Sequence, residues 1–272
     1  MITLAMFNIN LNRFIIGGEK MQEYSFSSDL NQKIVDGILK GYNEYIEVRK
    51  DKKRTMNISG AYAWTKGNHI EDAVSKELLD LNITFNPAKA GYTWGYLQFN
   101  HDDGVSKKMF IIKNAKYFNV EEFDRSKTPL SGRSSTKKTN YILELANANS
   151  EVEFIEQVVD DSIEQLSLFV DLGLPQSDSS VEVAKTISKE FNEFYIITYS
   201  TDEAHQISEV KQYMPNPIDK KAYLINDLSS FIGTSHIEIS TIDDSLINAE
   251  VEEMIYDAQD FGIGLPAIEK DK

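Results

Sequence analysis

Lys89, Lys107, Lys108, Lys113 and Lys116 are interleaved with Tyr92, Trp94, Tyr96, Phe110, Tyr117 and Phe118 in one short stretch of this 272-residue chain. Cations beside aromatic rings are what phosphate contact and base stacking require. Lys89, Trp94, Lys107, Lys108 and Lys116 are therefore candidate nucleic-acid contacts. The same period-two alternation also describes a half-buried sheet, with rings inside and lysines outside. His101-Asp102-Asp103 sets metal-ligand types side by side, although Asp-Asp-Gly is equally what a tight turn uses. The other histidines, His69, His205 and His236, are scattered and form neither a His-x-x-x-His nor a Ser/His/Asp spacing. The chain has no cysteine, which removes disulfides, Cys-ligated zinc, iron–sulfur clusters and thiol catalysis. No glycine-rich phosphate loop is present.

The elements that must position these groups follow from periodicity. Ile34, Ile38, Leu39, Tyr42 and Ile46 predict a helix over Leu30 to Val48, with Ser28 or Asp29 to cap it. Ile70, Ala73, Val74, Leu78 and Leu81 predict a second helix over His69 to Leu81. The basic run Arg49 to Arg54 is expected just beyond the first helix, where cations favour the dipole. Strands are expected at Tyr92 to Phe99 and Lys108 to Phe118, joined by a hairpin at the Asp103-Gly104 pair. Further on, the pattern predicts helices over Ser150 to about Val170, Ser180 to Phe191 and Leu246 to Phe261. It predicts strands at Glu193 to Tyr199, Ala222 to Ile225 and His236 to Thr241, and helix-favouring residues fill Asp202 to Tyr213. Mixed α/β (α+β) is the class this order implies: a helix-helix-hairpin sheet module, then a second, acidic α/β module.

Charge divides the chain. Residues 1–141 carry 21 Lys and Arg against 16 Asp and Glu; residues 142–272 carry 7 against 27. Residues 126–140 are polar, with Pro129, Gly132 and one large apolar residue, and read as a linker. The expected organisation is a basic module over 21–125, that linker, and an acidic module over 141–272, a two-part protein whose basic and acidic halves face different partners. The asymmetry is equally compatible with an acidic surface that serves solubility. Gly17-Gly18-Glu19-Lys20 before Met21 suggests that residues 1–20 are an untranslated or disordered leader. No signal peptide or membrane-spanning run is evident, which favours the cytoplasm and no membrane partner.

Three resemblances add to this reading. Gln165-Leu166-Ser167-Leu168-Phe169 resembles the short linear motif by which bacterial replication and repair proteins hold the sliding clamp. That resemblance implies a protein partner engaged by an extended peptide, with Leu166, Leu168 and Phe169 in an apolar pocket and the Gln165 amide orienting it. The stripe Ile155, Val158, Val159, Ile163, Leu166, Phe169 also suits a core helix, which would hide the motif. Lys66-Gly67-Asn68-His69-Ile70-Glu71 and Phe110-Ile111-Ile112-Lys113 resemble the helix and strand of the restriction-endonuclease-like superfamily, signature PD…(D/E)xK. The resemblance covers Lys66 to Val120. It implies a Mg²⁺-dependent nuclease with Glu71, Asp102 or Asp103, and Lys113 as catalytic residues. The sequence departs from that pattern at Ile111, where an acid would stand two before Lys113, and in the strand Tyr92 to Phe99, which has no carboxylate. Gly60-Ala61-Tyr62-Ala63-Trp64 and Lys89 to Gly95 look like segments of small accessory proteins of low-GC bacteria and their phages. Those proteins imply roles in phage–host conflict or regulation.

The sequence therefore leads to a non-catalytic interaction or regulatory protein acting in DNA transactions or phage–host conflict, without a cofactor. Its partners would be nucleic acid, through the basic module, and a protein. The alternative is the Mg²⁺-dependent nuclease.

Overall fold

Ser27 opens the longest helix among the described residues: its hydroxyl accepts the Leu30 amide at 3.2 Å, satisfying one of the unpaired N–H groups of the first turn. The computed structural model describes residues 14–15, 24–90, 94–123, 141–154 and 190–237. Helix α1, Ser28–Thr55, runs longer than its apolar stripe suggests and takes in the basic run, so Lys52, Lys53 and Arg54 form its last turn instead of following it. Arg49 belongs to its buried face. A 3-10 turn, Gly60–Thr65, leads into α2, Lys66–Glu77. The two helices pack closely at Gly37 and Gly41. A Cβ at Gly41 would lie 2.4 Å from the His69 carbonyl oxygen and 2.5 Å from Ile70 Cα.

A six-stranded sheet lies beneath them. Its strands are β2, Thr84–Ala90; β3, Trp94–Asp102; β4, Lys107–Asn114; β6, Glu193–Thr201; β7, Ile207–Pro215; and β8, Ala222–Asp227, hydrogen-bonded in that order. Within this sheet the β4–β6 pair is parallel and the other pairs are antiparallel, a mixed sheet that with the helices makes the class mixed α+β. Two short strands stand apart: β1, Phe14–Ile15, pairs with β5, Glu153–Phe154. No helix among the described residues is long and apolar enough to cross a membrane.

The central strands β4 and β6 read as unbroken apolar runs because both of their faces are covered. Phe110, Ile112, Tyr195 and Ile197 join the α1 and α2 stripe in one core, with Phe99 stacked on Phe110 at 4.9 Å between ring centroids. Met109, Ile111, Phe194 and Ile196 face the other way, against Ile142, Leu145 and Ala146 of a short helix α3, Tyr141–Ala146. Strands from both sides of residues 126–140 thus share one sheet and one core. Asn149 fastens β6 to β7 from below: its amide donates to the Phe194 and Pro215 carbonyls at 2.9 and 2.8 Å and accepts the Phe194 amide at 2.7 Å.

Several local expectations change. Residues 207–215, rich in helix formers, are strand β7, because the turn after β6 and the neighbouring ladders override a propensity worth tenths of a kcal/mol per residue. The segment 84–90, which contains Pro87, is an edge strand that the periodicity did not indicate. The second expected strand ends at Asn114 and gives way to a 3-10 turn, Ala115–Tyr117. Residues 150–154 form a turn and β5 where a helix was expected to begin. The rest of that expected helix, and those at 180–189 and 246–261, lie outside the described residues, as do 1–13, 16–20 and 126–140.

Candidate functional site

Strands β3 and β4 pair only from Phe99↔Phe110 to Asp102↔Lys107. Beyond Phe99, β3 continues beside β2 alone, and the Leu97 amide no longer has a β4 carbonyl to meet. Glu71, reaching down from the middle of α2, takes that amide: Oε2 accepts it at 3.0 Å. The burial of the Glu71 carboxyl between the helix and the parting strands pushes its pKa up to about 8, against the opposing pull of the Leu97 N–H and the Lys113 ammonium. At neutral pH Glu71 is therefore mostly an uncharged acid.

Lys113 stands near the end of β4 and points to the α3 side of the sheet. Its Nζ donates to the Tyr141 hydroxyl at 3.1 Å and lies 5.5 Å from the centroid of that ring. The Tyr96 ring completes the group, 5.1 Å from Tyr141, and its hydroxyl accepts the Gln98 side-chain amide at 3.0 Å. Burial pushes the Tyr96 phenol well above its usual range. The fold thus gathers Glu71, Leu97, Tyr96, Gln98, Lys113 and Tyr141 where β3 leaves β4. Tyr141 had no sequence signal. It follows a polar stretch and opens a helix of six residues, too short to announce itself by period.

Asp102 and Asp103 stand elsewhere. They form the β3–β4 turn, and Asp102 is five residues along β3 from Leu97, roughly 17 Å away. Asp102 accepts the Gly104 amide at 3.0 Å. Asp103 accepts the Val105 and Ser106 amides at 2.9 and 2.8 Å and pairs with the buried Lys108 at 2.8 Å. Burial would raise the Asp103 pKa, but Lys108 and those two amides outweigh it and hold the carboxyl well below the usual range. Both aspartates bond backbone amides of the turn. Burial also lowers the pKa of the neighbouring His101.

A Mg²⁺ ion needs several ionised or carbonyl oxygens in near-octahedral array. Among the described residues, no three of His, Cys, Asp or Glu are grouped so as to hold a metal ion. Glu71 brings one carboxyl, mostly protonated, and Ile111 occupies the place where a second acid would stand. These residues do not fit the metal.

Compared with known proteins, the chain matches no family model, no curated protein and no solved structure.

The candidate nucleic-acid contacts divide between the two ends of the sheet. Lys89, opposite Gly95 on β2, is exposed, and Trp94 begins β3 beside it; only the backbone of Trp94 is described. Lys116, 5.8 Å from the centroid of the Tyr117 ring, follows β4 at the same end. Lys107 and Lys108 open β4 at the other end, about 20 Å from Lys113 along the strand. Lys107 is exposed, while Lys108 is only 7% exposed and occupied by Asp103. Residues 24–123 carry 14 Lys and Arg against 13 Asp and Glu, so the positive excess of the first half lies mainly in 124–141, with 5 against 1. Gln165, Leu166, Leu168 and Phe169 lie outside the described residues.

Proposed function

We propose that this protein is a non-catalytic interaction protein of DNA transactions or phage–host conflict, built on a nuclease-like frame that has lost its metal-holding acids. The observation that carries this reading is the state of Glu71 and of the lysine charge that acts on it. Burial holds the Glu71 carboxyl largely neutral, Lys113 on its strand pulls the other way, and among the described residues no three of His, Cys, Asp or Glu are grouped so as to hold a metal ion. Such an acid and lysine can orient a strand and present a cation, and they cannot hold the ion that would activate water.

Nucleic acid is contacted at the sheet end that carries Lys89, Trp94 and Lys116, and the sequence supplies five further cations, Arg125, Lys127, Arg133, Lys137 and Lys138, which lie outside the described residues. Fluorescence anisotropy with labelled single- and double-stranded DNA tests this. Binding should weaken steeply as salt rises from about 50 to 200 mM. Lys89→Glu combined with Lys116→Glu should weaken it further, whereas salt-independent binding or none would end the nucleic-acid reading. The alternative, a Mg²⁺-dependent nuclease using Glu71, Asp102 or Asp103, and Lys113, is favoured only by the electrostatic influence of Lys113 on Glu71. Supercoiled plasmid incubated with Mg²⁺ or EDTA separates the two. Nicking that disappears in both Glu71→Ala and Lys113→Ala would establish the enzyme.

The protein partner is assigned from sequence to Gln165–Phe169, with the sliding clamp as the surface that motif fits. Purified clamp should be retained by the wild type and not by Gln165→Ala/Phe169→Ala; retention by both would detach the motif from binding.

A further inference from the structure

We infer, resting on the nucleic-acid reading above, that the far end of α1 and the 3-10 turn beside it bind single-stranded nucleic acid, with Trp64 as the platform for a base. Two contacts fix where this end of α1 lies. Phe26, just before the helix, packs on Tyr195 near the start of β6, at 4.9 Å between ring centroids. The Tyr42 hydroxyl donates to the His205 carbonyl, in the turn that follows β6, at 2.7 Å. The helix therefore runs in the direction of β6 and of its parallel neighbour β4. Its last 13 residues, 43–55, continue for about 20 Å beyond the Tyr42 contact. Lys89, Trp94 and Lys116 stand at the same end of the molecule, because β2 finishes, β3 starts and β4 finishes there.

Positive charge is concentrated on this projecting end. Residues 49–66 hold 6 Lys and Arg against 1 Asp, whereas the rest of 24–123 holds 8 against 12. Arg49 and Lys66 are buried. Lys53 and Arg54 are exposed, and Lys50 and Lys52 are half-buried. Against these four cations stand the carboxylates of Glu47 and Asp51 and the roughly half negative charge of a helix C-terminus. An excess of about one to two positive charges is left for phosphates.

Apolar groups lie directly beside the cations. Only residues 56–59 separate α1 from the 3-10 turn, and Met56 and Ile58 among them are 44% and 85% exposed. The turn is held against α1 by the Tyr45 hydroxyl, which donates to the Ala63 carbonyl at 3.4 Å, and Lys52 Nζ lies 6.0 Å from the centroid of the Tyr62 ring. Residues three apart eclipse in a 3-10 helix, so with Ala63 buried, Ala61 and Trp64 share the outward face. Trp64 is 38% exposed, and its indole can take the π-face of an unstacked base while the last turn of α1 meets the backbone. In a duplex those faces are already occupied by neighbouring bases. An anionic membrane would confront the whole chain, whose net charge is −15, whereas a strand need touch only this end.

Fluorescence anisotropy of the full chain with labelled oligothymidylate, longer than the roughly 4–16 nucleotides such sites take, tests this. Lys53→Glu combined with Arg54→Glu should weaken binding about tenfold or more and flatten the logarithmic salt slope by roughly 1.4, the share of two single-strand phosphate contacts. Trp64→Ala should weaken binding about 5- to 100-fold with little change of slope, and Trp64→Phe should restore most of it. In Trp94→Phe the oligonucleotide should quench Trp64, the other of the two tryptophans. Should Trp64→Ala fail to fold, that quenching decides: its absence from the bound complex overturns the inference. Binding that Lys89→Glu/Lys116→Glu weakens but the Lys53, Arg54 and Trp64 variants leave intact would overturn it too, with the nucleic-acid reading still standing. Equal affinity for a duplex of the same length would remove the base platform, and capture by anionic phospholipid vesicles instead of the oligonucleotide would give the surface to lipid. No binding to any nucleic acid would end both readings.

Discussion

Glu71 replaces a strand: its carboxyl oxygen meets the Leu97 amide at 3.0 Å where the β4 backbone has turned away. A helix side chain completes a sheet ladder there, and it does so as an acid whose pKa lies near 8.

That arrangement makes stability depend on pH. In the unfolded chain Glu71 has its ordinary pKa of 4.5. Below that value both states hold the proton and the native form is at its full relative stability. Between 4.5 and about 8 the unfolded chain has released the proton and the native one has not, so stability falls as pH rises through this window. Urea unfolding at the two ends should show a loss of about 2–4 kcal/mol for the wild type. Glu71→Gln, which keeps an acceptor for Leu97 without the charge, should remove most of that slope. An unchanged slope would contradict the burial of this carboxyl.

Gly41 sets the distance between α1 and α2. Gly41→Ala would force a methyl group to within 2.4 Å of the His69 carbonyl oxygen and 2.5 Å of Ile70 Cα, and backbone cannot yield as a flexible side chain can. Thermal or urea unfolding should record a loss of about 3 kcal/mol. At Gly67 a Cβ meets nothing within 4 Å, so Gly67→Ala is the matched control and should be neutral or slightly stabilising.

Asn149 is fully buried and makes three hydrogen bonds to β6 and β7 backbone. Asn149→Ala leaves the Phe194 amide and two carbonyls without that partner and should cost about 3 kcal/mol in equilibrium unfolding. Asn149→Asp should cost at least as much, because a carboxylate would face the two carbonyl oxygens it now needs to bond.

Pro87 guards an open edge. The Leu97 amide points to Glu71, away from β2, so Leu97 and Pro87 face each other as a pair that exchanges no hydrogen bonds. The nitrogen of Pro87 is consequently turned outward, where an incoming strand would look for a donor. Residues 84–87 and 89 are all exposed, and Phe85 is 38% exposed. Pro87→Thr should restore the missing donor and increase self-association, read as a rise in mass by light scattering with concentration. A strictly monomeric Pro87→Thr would show that other features of the edge suffice.

Much of the fold was legible because it is written in short-range pattern. The α1 and α2 stripes repeat every three or four residues, and Asp103-Gly104 marks its turn with its own side-chain chemistry. Strand β7 was not legible, because Glu209, Lys211 and Gln212 favour a helix locally and only the two neighbouring ladders make them a strand. The two-part charge pattern was legible as well, but its positive excess lies chiefly in residues 124–141, all but the last of which are outside the described residues.

Composition and period by themselves determined the mixed class, the two long helices, the hairpin and the absence of cysteine chemistry. Only tertiary structure decided that Glu71 meets Leu97 and is influenced by Lys113, that Lys113 binds Tyr141, and that Asp102 and Asp103 bond within the β3–β4 turn while Asp103 also pairs with Lys108. The physical reason is range. A helix stripe or a turn is set by residues three or four apart, whereas Glu71 and Leu97 are 26 apart and Lys113 and Tyr141 are 28 apart. The pKa of a carboxyl depends on what surrounds it in space, and that is settled only when the helices close on the sheet.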